Sequence, residues 1–210
     1  MAGRPCENGI YRKNKSVIHI SYLPKVIFTE EDNRYSLRVT SLTSTEVLSN
    51  GLWLVIAGAN DIPPHIALIA DSEYYSVSAR KVKVAEPIEK FLKAISRNTL
   101  PTLFVSIKPP AQKKYNETDL KEAFEKYPTL GNGDHTCHWP LRDFFSNVYS
   151  PEFANVHLVF ELLAVAQKQD LLIECRSLFV DLENSETITL PKYTNEHIKE
   201  RINSILKINE

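Results

Sequence analysis

Short apolar runs separated by turn-forming residues mark the first half of the chain. Leu52–Ala57 and Thr102–Ile107 are continuous apolar runs, the pattern of strands buried on both faces. His65–Ala70 and residues 74–79 are strand-like and joined by a short polar link, which predicts a β-hairpin. The pattern predicts a sheet built from residues 52–107.

Further strands are predicted outside that region. Residues 16–28, with a break at Pro24, and residues 35–40 are rich in β-branched and aromatic side chains. Residues 171–181 and 186–190 predict two strands around a turn at Asn184, a second hairpin.

Helical spacing appears from residue 87 onward. Pro87 suits a first helical position, and four apolar residues follow at helical intervals: Ile88, Phe91, Leu92 and Ile95. The same spacing recurs at Leu120, Ala123, Phe124 and Tyr127. Helices are also predicted over residues 141–149, over residues 154–169 and from about Asn195, the last with Ile198, Ile202, Ile205 and Leu206 on one face. Strands clustered before residue 107 and helices gathered after residue 117 indicate the α+β class.

Composition narrows the choice of partners and compartment. The 210 residues are 43% hydrophobic and 24% charged, with a net charge of −1, as in an ordinary globular protein. A net charge this close to zero argues against strong electrostatic attraction of the whole chain to nucleic acid or to an anionic membrane. Three irregularly spaced cysteines favour a reducing compartment, and we see no signal peptide or membrane-spanning stretch, so we expect a cytoplasmic protein. No phosphate loop or dinucleotide fingerprint is found, and we expect no cofactor.

Two residues stand out as candidates for chemistry. His65 follows Pro63 and Pro64 directly, so it should open a strand at one end of the sheet. Cys137 lies between a glycine-bearing loop and a predicted helix, where helix N–H groups favour a thiolate. The alternative for each is structural: a histidine bonded to a turn carbonyl, and a buried, inert cysteine.

A zinc site is a weaker alternative. His135, Cys137 and His138 are close in sequence, and His157 and Glu161 are one helical turn apart. These are zinc-ligand types, but their spacing matches no established zinc motif. A polar pair is the simpler interpretation of His157 and Glu161, and we predict no metal.

The order of these segments resembles a known family. A histidine opens the strand in PHIALIADSEYYSVSA, VKVAEPIEKFLKAI and the strand TLFVSI follow, and a cysteine then precedes a helix. This arrangement resembles the circularly permuted branch of the NlpC-type, papain-like cysteine hydrolases, which includes YiiX-like and lecithin retinol acyltransferase-like proteins. The likeness covers residues 51–149.

The resemblance implies a fold and a set of roles. The fold would be a permuted papain-like core at 51–150, an antiparallel sheet packed against helices, with an N-terminal extension with strands at 1–50 and C-terminal helices and a hairpin at 151–210. Cys137 would be the nucleophile and His65 the general base. Ser78 or Ser76 would orient the imidazole, where the family more often has an acid, an amide or a second histidine. Backbone N–H groups near Cys137 would stabilise the oxyanion, with His135 or His138 assisting and Trp139 in the site wall.

The expected function is that of a thiol hydrolase or acyl transferase acting on a peptide, amide or ester substrate. A non-catalytic binding or scaffold domain that keeps the same fold is the main alternative, because serine stabilises an imidazolium less than an acid does.

Overall fold

The computed structural model describes residues 28–31, 34–110, 115–127, 135–182 and 186–207. Within them the chain is of the α+β class, as predicted, with ten strands in two sheets and five α-helices. The predicted strand over residues 16–28 lies outside the described residues except for Phe28. No helix in the described part of the chain has both the length and the apolar composition needed to cross a membrane.

A seven-stranded sheet forms the centre of the molecule. Its strands are β3 (Thr40–Ser41), β4 (Leu52–Ala57), β5 (His65–Ala70), β6 (Glu73–Val77), β7 (Val82–Pro87), β8 (Thr102–Ile107) and β9 (Leu172–Leu178). They lie in the order β3-β9-β8-β4-β5-β6-β7, and every pair except β3 with β9 is antiparallel. The apolar runs are the innermost strands, and all six residues of β4 are buried.

A second sheet has three antiparallel strands. β1 (Phe28–Glu31) and β10 (Thr187–Leu190) flank β2 (Arg34–Arg38). Strands from the beginning and the end of the chain therefore pair with each other.

Helices cover both faces of the central sheet. On one face Trp53, Val55 and Ile69 pack with Ile88 and Phe91 of α1 (Ile88–Arg97). The opposite face belongs to the larger apolar cluster, which takes in four further helices: α2 (Glu117–Glu125), α3 (Trp139–Val148), α4 (Val159–Lys168) and α5 (Asn195–Lys207). Burial of these apolar side chains is the main force that holds the layers together.

The structure corrects two features predicted from the sequence. The C-terminal hairpin is wrong, because β9 pairs with β3 and β8 in the central sheet whereas β10 pairs with β2. The single helix over residues 154–169 is also wrong. A 3-10 turn, Pro151–Asn155, precedes α4, and Glu161 begins α4 by accepting the backbone N–H groups of His157 and Leu158 at 2.7 and 3.1 Å.

Candidate active site at the start of strand β5

A cavity of about 260 Å³ lies where β5 begins. Four parts of the chain form its wall: the loop before β5, the segment after β6, the turn before α3, and one face of α5. The lining residues are Asp61, Pro63, Pro64, His65, Ser78, Ala79, Cys137, Ile198, Arg201, Ile202 and Ile205. The structure thus brings His65, Ser78 and Cys137 to one cavity.

The loop before β5 places His65 at the cavity. Gly58 has φ +67°, a left-handed conformation that favours glycine, and the Asp61 N–H donates to its carbonyl at 2.8 Å to close a turn. Pro63 and Pro64 cannot donate to a sheet, so pairing starts at His65, which lies opposite Ala57 of β4. The imidazole is thereby fixed at the rim of the sheet.

Cys137 lies in the turn that leads into α3. The Trp139 N–H donates to the Thr136 carbonyl at 3.1 Å, and Pro140 occupies the first helical turn, where a missing N–H costs nothing. Cys137 is half-buried and is a free thiol. Burial raises the pKa of this thiol, and the backbone N–H groups of Ile66 and of Cys137 itself partly oppose the rise.

The environment of His65 favours a neutral imidazole. Burial lowers its pKa to about 4, and the positive charge of Lys83 adds to the effect. At neutral pH the cavity therefore holds a thiol and an uncharged imidazole. Within the described residues no hydrogen bond joins Cys137 Sγ to the imidazole.

The two candidate orienting serines have different surroundings. Ser78 donates its hydroxyl to the Lys81 carbonyl at 2.9 Å and accepts the Lys81 N–H at 3.2 Å. One lone pair remains with which the Ser78 oxygen can accept an imidazole N–H. Ser76 is buried within β6, does not line the cavity, and lies beside the hydroxyl of Tyr74.

The residues predicted to assist at the oxyanion do not form part of the cavity wall. His135 and Trp139 form an aromatic group with Tyr127, and the Arg142 guanidinium lies 4.3 Å from the centre of the Trp139 ring. His138 is buried, and neither of its ring nitrogens has a hydrogen-bond partner. None of the three lines the cavity at Cys137.

Helix α5 contributes residues that we did not single out for chemistry. Ile198, Arg201, Ile202 and Ile205 all line the cavity, at positions i, i+3, i+4 and i+7 of one helical face. The row of isoleucines on one face of α5 is visible in the sequence. The feature that could have indicated a functional role is the arginine, Arg201, within that row. Asp61 is the other charged residue at the cavity.

A larger cavity, of about 540 Å³, lies between β6 and α2. Its wall carries Tyr75, Tyr115 and three carboxylates, those of Asp71, Glu73 and Glu117, but no cysteine or histidine. By volume this cavity is the stronger candidate for a binding site, whereas the presence of a nucleophile favours the smaller cavity. We assign the candidate site to the smaller cavity because only it combines a thiol with an imidazole.

The zinc alternative finds no cluster to hold the ion. Among the described residues, no group of three or more His, Cys, Asp and Glu side chains is placed to bind a metal. Glu161 uses its carboxylate to accept backbone N–H groups at the start of α4.

Comparison with known proteins gives no relative from which to transfer a function. No family model, no curated protein and no solved structure matches this chain.

Proposed function

We propose that the protein is a thiol hydrolase or acyl transferase that uses Cys137 as nucleophile and His65 as general base. The observation that carries the proposal is the convergence of these two side chains, 72 positions apart in the chain, on one cavity. A nucleophile and a base in one cleft are the minimum for acyl transfer through a covalent intermediate. The fold that accompanies this reaction in our proposal is the permuted papain-like core.

The pKa shifts define how the pair would work. Because burial raises the pKa of Cys137 and lowers that of His65, the resting pair is neutral. As the sulfur attacks a carbonyl carbon, His65 takes the thiol proton and a C–S bond forms. His65 then gives that proton to the leaving amine or alcohol, and the C–N or C–O bond breaks. Water or another acceptor releases the acyl group by the same steps in reverse.

The oxyanion needs hydrogen-bond donors close to the sulfur. The backbone N–H groups of Ile66 and Cys137 partly oppose the rise in the pKa of the thiol, which supports their being close to the sulfur. These are the donors that we assign to the oxyanion, in place of the His135 and His138 side chains.

Alkylation kinetics test the proposal. In a Cys6→Ser background, we expect iodoacetamide to label Cys137 at least tenfold faster than Cys175, a residue that is only 2% exposed. We expect His65→Ala to slow labelling of Cys137, since the base that accepts the thiol proton is lost. His135→Ala is the matched control, because His135 is close in sequence but does not line the cavity, and it should leave the rate unchanged. Equal slowing by both variants would contradict the proposal.

A non-catalytic domain remains the second candidate, favoured by the missing hydrogen bond between thiol and imidazole. If the protein is such a domain, His65→Ala should leave the rate of iodoacetamide labelling at Cys137 unchanged. Cys137→Ser should also leave the biological effect of the protein intact.

A further inference from the structure

Arg201 is a charged residue on the face of α5 that is otherwise apolar at the cavity. Its neighbours on that face, Ile198 and Ile202, are each 6% exposed. Arg201 lies one helical turn after Ile198 and directly before Ile202, and as an arginine it stays accessible to solvent. It also lines the cavity that holds Cys137 and His65, so its guanidinium is at the open side of the candidate site.

Arg201 has its charge available for a ligand. Across the described ranges it forms no ion pair, and Asp61, the only other described residue with a full charge in the cavity wall, is not paired with it. A guanidinium is permanently charged and offers a fork of N–H donors that matches a carboxylate. The Arg201 side chain is exposed, so a ligand in the cavity can reach it.

The cavity limits what such a ligand can be. Its volume of about 260 Å³ is below the roughly 300–1,000 Å³ of pockets that take drug-sized ligands, which favours a short acyl segment. Pro63, Pro64 and the isoleucines of α5 provide an apolar wall for a short aliphatic segment. Asp61 at the same cavity repels a dianionic phosphate more strongly than a single carboxylate.

We propose that the acyl donor is a short aliphatic acyl group that carries a carboxylate, with the aliphatic part against α5 and the carboxylate paired with Arg201. This inference rests on the proposed function, since it names the substrate class of the same site. Arg201 is here a specificity-determining residue. The reaction itself stays with Cys137 and His65.

Alkylation by a charged and a neutral reagent tests the anion subsite without requiring turnover. Iodoacetate carries a carboxylate and iodoacetamide does not, so the ratio of their rates at Cys137 measures attraction for the anion. We expect Arg201→Ala to lower this ratio roughly fivefold, which is about the attraction between two unit charges in a partly solvated cleft. The iodoacetamide rate should stay unchanged.

Three matched variants complete this measurement. Arg201→Lys should keep most of the ratio, and Asp61→Asn should raise it, because a repelling charge is removed. Arg97→Ala removes an exposed arginine at the end of α1, outside the cavity wall, and should change nothing. Equal loss of both rates in Arg201→Ala would mean that Arg201 only holds α5 in place. That outcome, or an unchanged ratio, would overturn the inference.

Two p-nitrophenyl esters test the substrate class. The hemiglutarate and the valerate have acyl chains of the same length, ending in a carboxylate and a methyl group. We expect wild-type protein to prefer the hemiglutarate and Arg201→Ala to lose the preference through KM. Equal turnover of both esters by both proteins would overturn this inference and leave the proposed function standing. Failure to turn over either ester would contradict the proposed function and the substrate class. The anion subsite at Arg201 would then be judged by the alkylation ratio alone.

Discussion

The buried imidazole of His138 makes a quantitative prediction about acid stability. The residue is 2% exposed, and neither ring nitrogen has a hydrogen-bond partner. Burial, with the charges of Arg142 and His157 as smaller contributions, lowers its pKa to about 3. The folded protein therefore holds this ring neutral at a pH where the unfolded chain protonates it.

The sign and the size of the effect of His138 on the free energy of unfolding follow from proton linkage. The pKa of His138 is lower in the folded protein than in the unfolded chain, where it is about 6.5. The free energy of unfolding therefore has its full value above about pH 6.5 and decreases as the pH falls from there to about 3. At pH 5, about 1.5 units below the unfolded value, the loss from His138 is about 2 kcal/mol. For a chain of this size that corresponds to a Tm shift of about 4–8 °C.

His138→Leu should remove that part of the acid sensitivity. Leucine has a similar volume and no nitrogen to desolvate, so we expect the variant to be at least as stable as wild type at pH 8. Between pH 8 and pH 5 it should lose about 2 kcal/mol less than wild type. Urea unfolding at a series of pH values measures the difference, with the exposed His197→Gln as control. Parallel pH profiles of wild type and His138→Leu would refute the reasoning.

Two further predictions concern the walls of the candidate site. Hydrolysis of a neutral ester should lose rate below about pH 4, where His65 becomes protonated, and a midpoint near the unperturbed pKa of about 6.5 would contradict the buried environment of this ring. Gly58→Ala should destabilise the protein by about 1–2 kcal/mol, because φ is +67° and the new Cβ would lie 2.4 Å from the Asp61 carboxylate. Thermal unfolding measures this loss, and an unchanged Tm would show that the loop relaxes without cost.

Local patterns predicted the central strands well. β4, β5 and β8 have the bounds expected from the sequence, because each is an apolar run that ends at a turn signal or a proline. β7 was missed. Its residues are only partly buried, a register shift interrupts its pairing with β6, and Ala85 has a positive φ of 52°, so neither periodicity nor composition marks it as a strand.

Pairing between distant segments could not be predicted from local sequence patterns. The sequence between β9 and β10 is short and typical of a hairpin turn, yet the two strands belong to different sheets. Which strands pair depends on the packing of whole layers, and β2 and β3, far away in the chain, offer the partners that β10 and β9 use.

The same contrast holds at the candidate site. The positions of His65 at the start of β5 and of Cys137 just before α3 could be predicted, because a double proline fixes where β5 begins and a proline-containing turn fixes where α3 begins. The contribution of α5 could not, because nothing in its periodicity says which cavity its isoleucine face covers. The expected assistance of His135 and His138 at the oxyanion gains no support from the cavity wall, because neither residue lines it. His135 packs against Tyr127 and Trp139.

Trapping of an acyl-enzyme tests the central claim most directly. Wild-type protein mixed with p-nitrophenyl acetate should release a burst of nitrophenol, and peptide mass spectrometry should locate the acetyl group on Cys137. The account predicts that Cys137→Ala abolishes the burst and that His65→Ala slows it about a hundredfold or more, the usual contribution of a general base. Acetylation that is spread over lysines, or a burst that survives both substitutions, would contradict it.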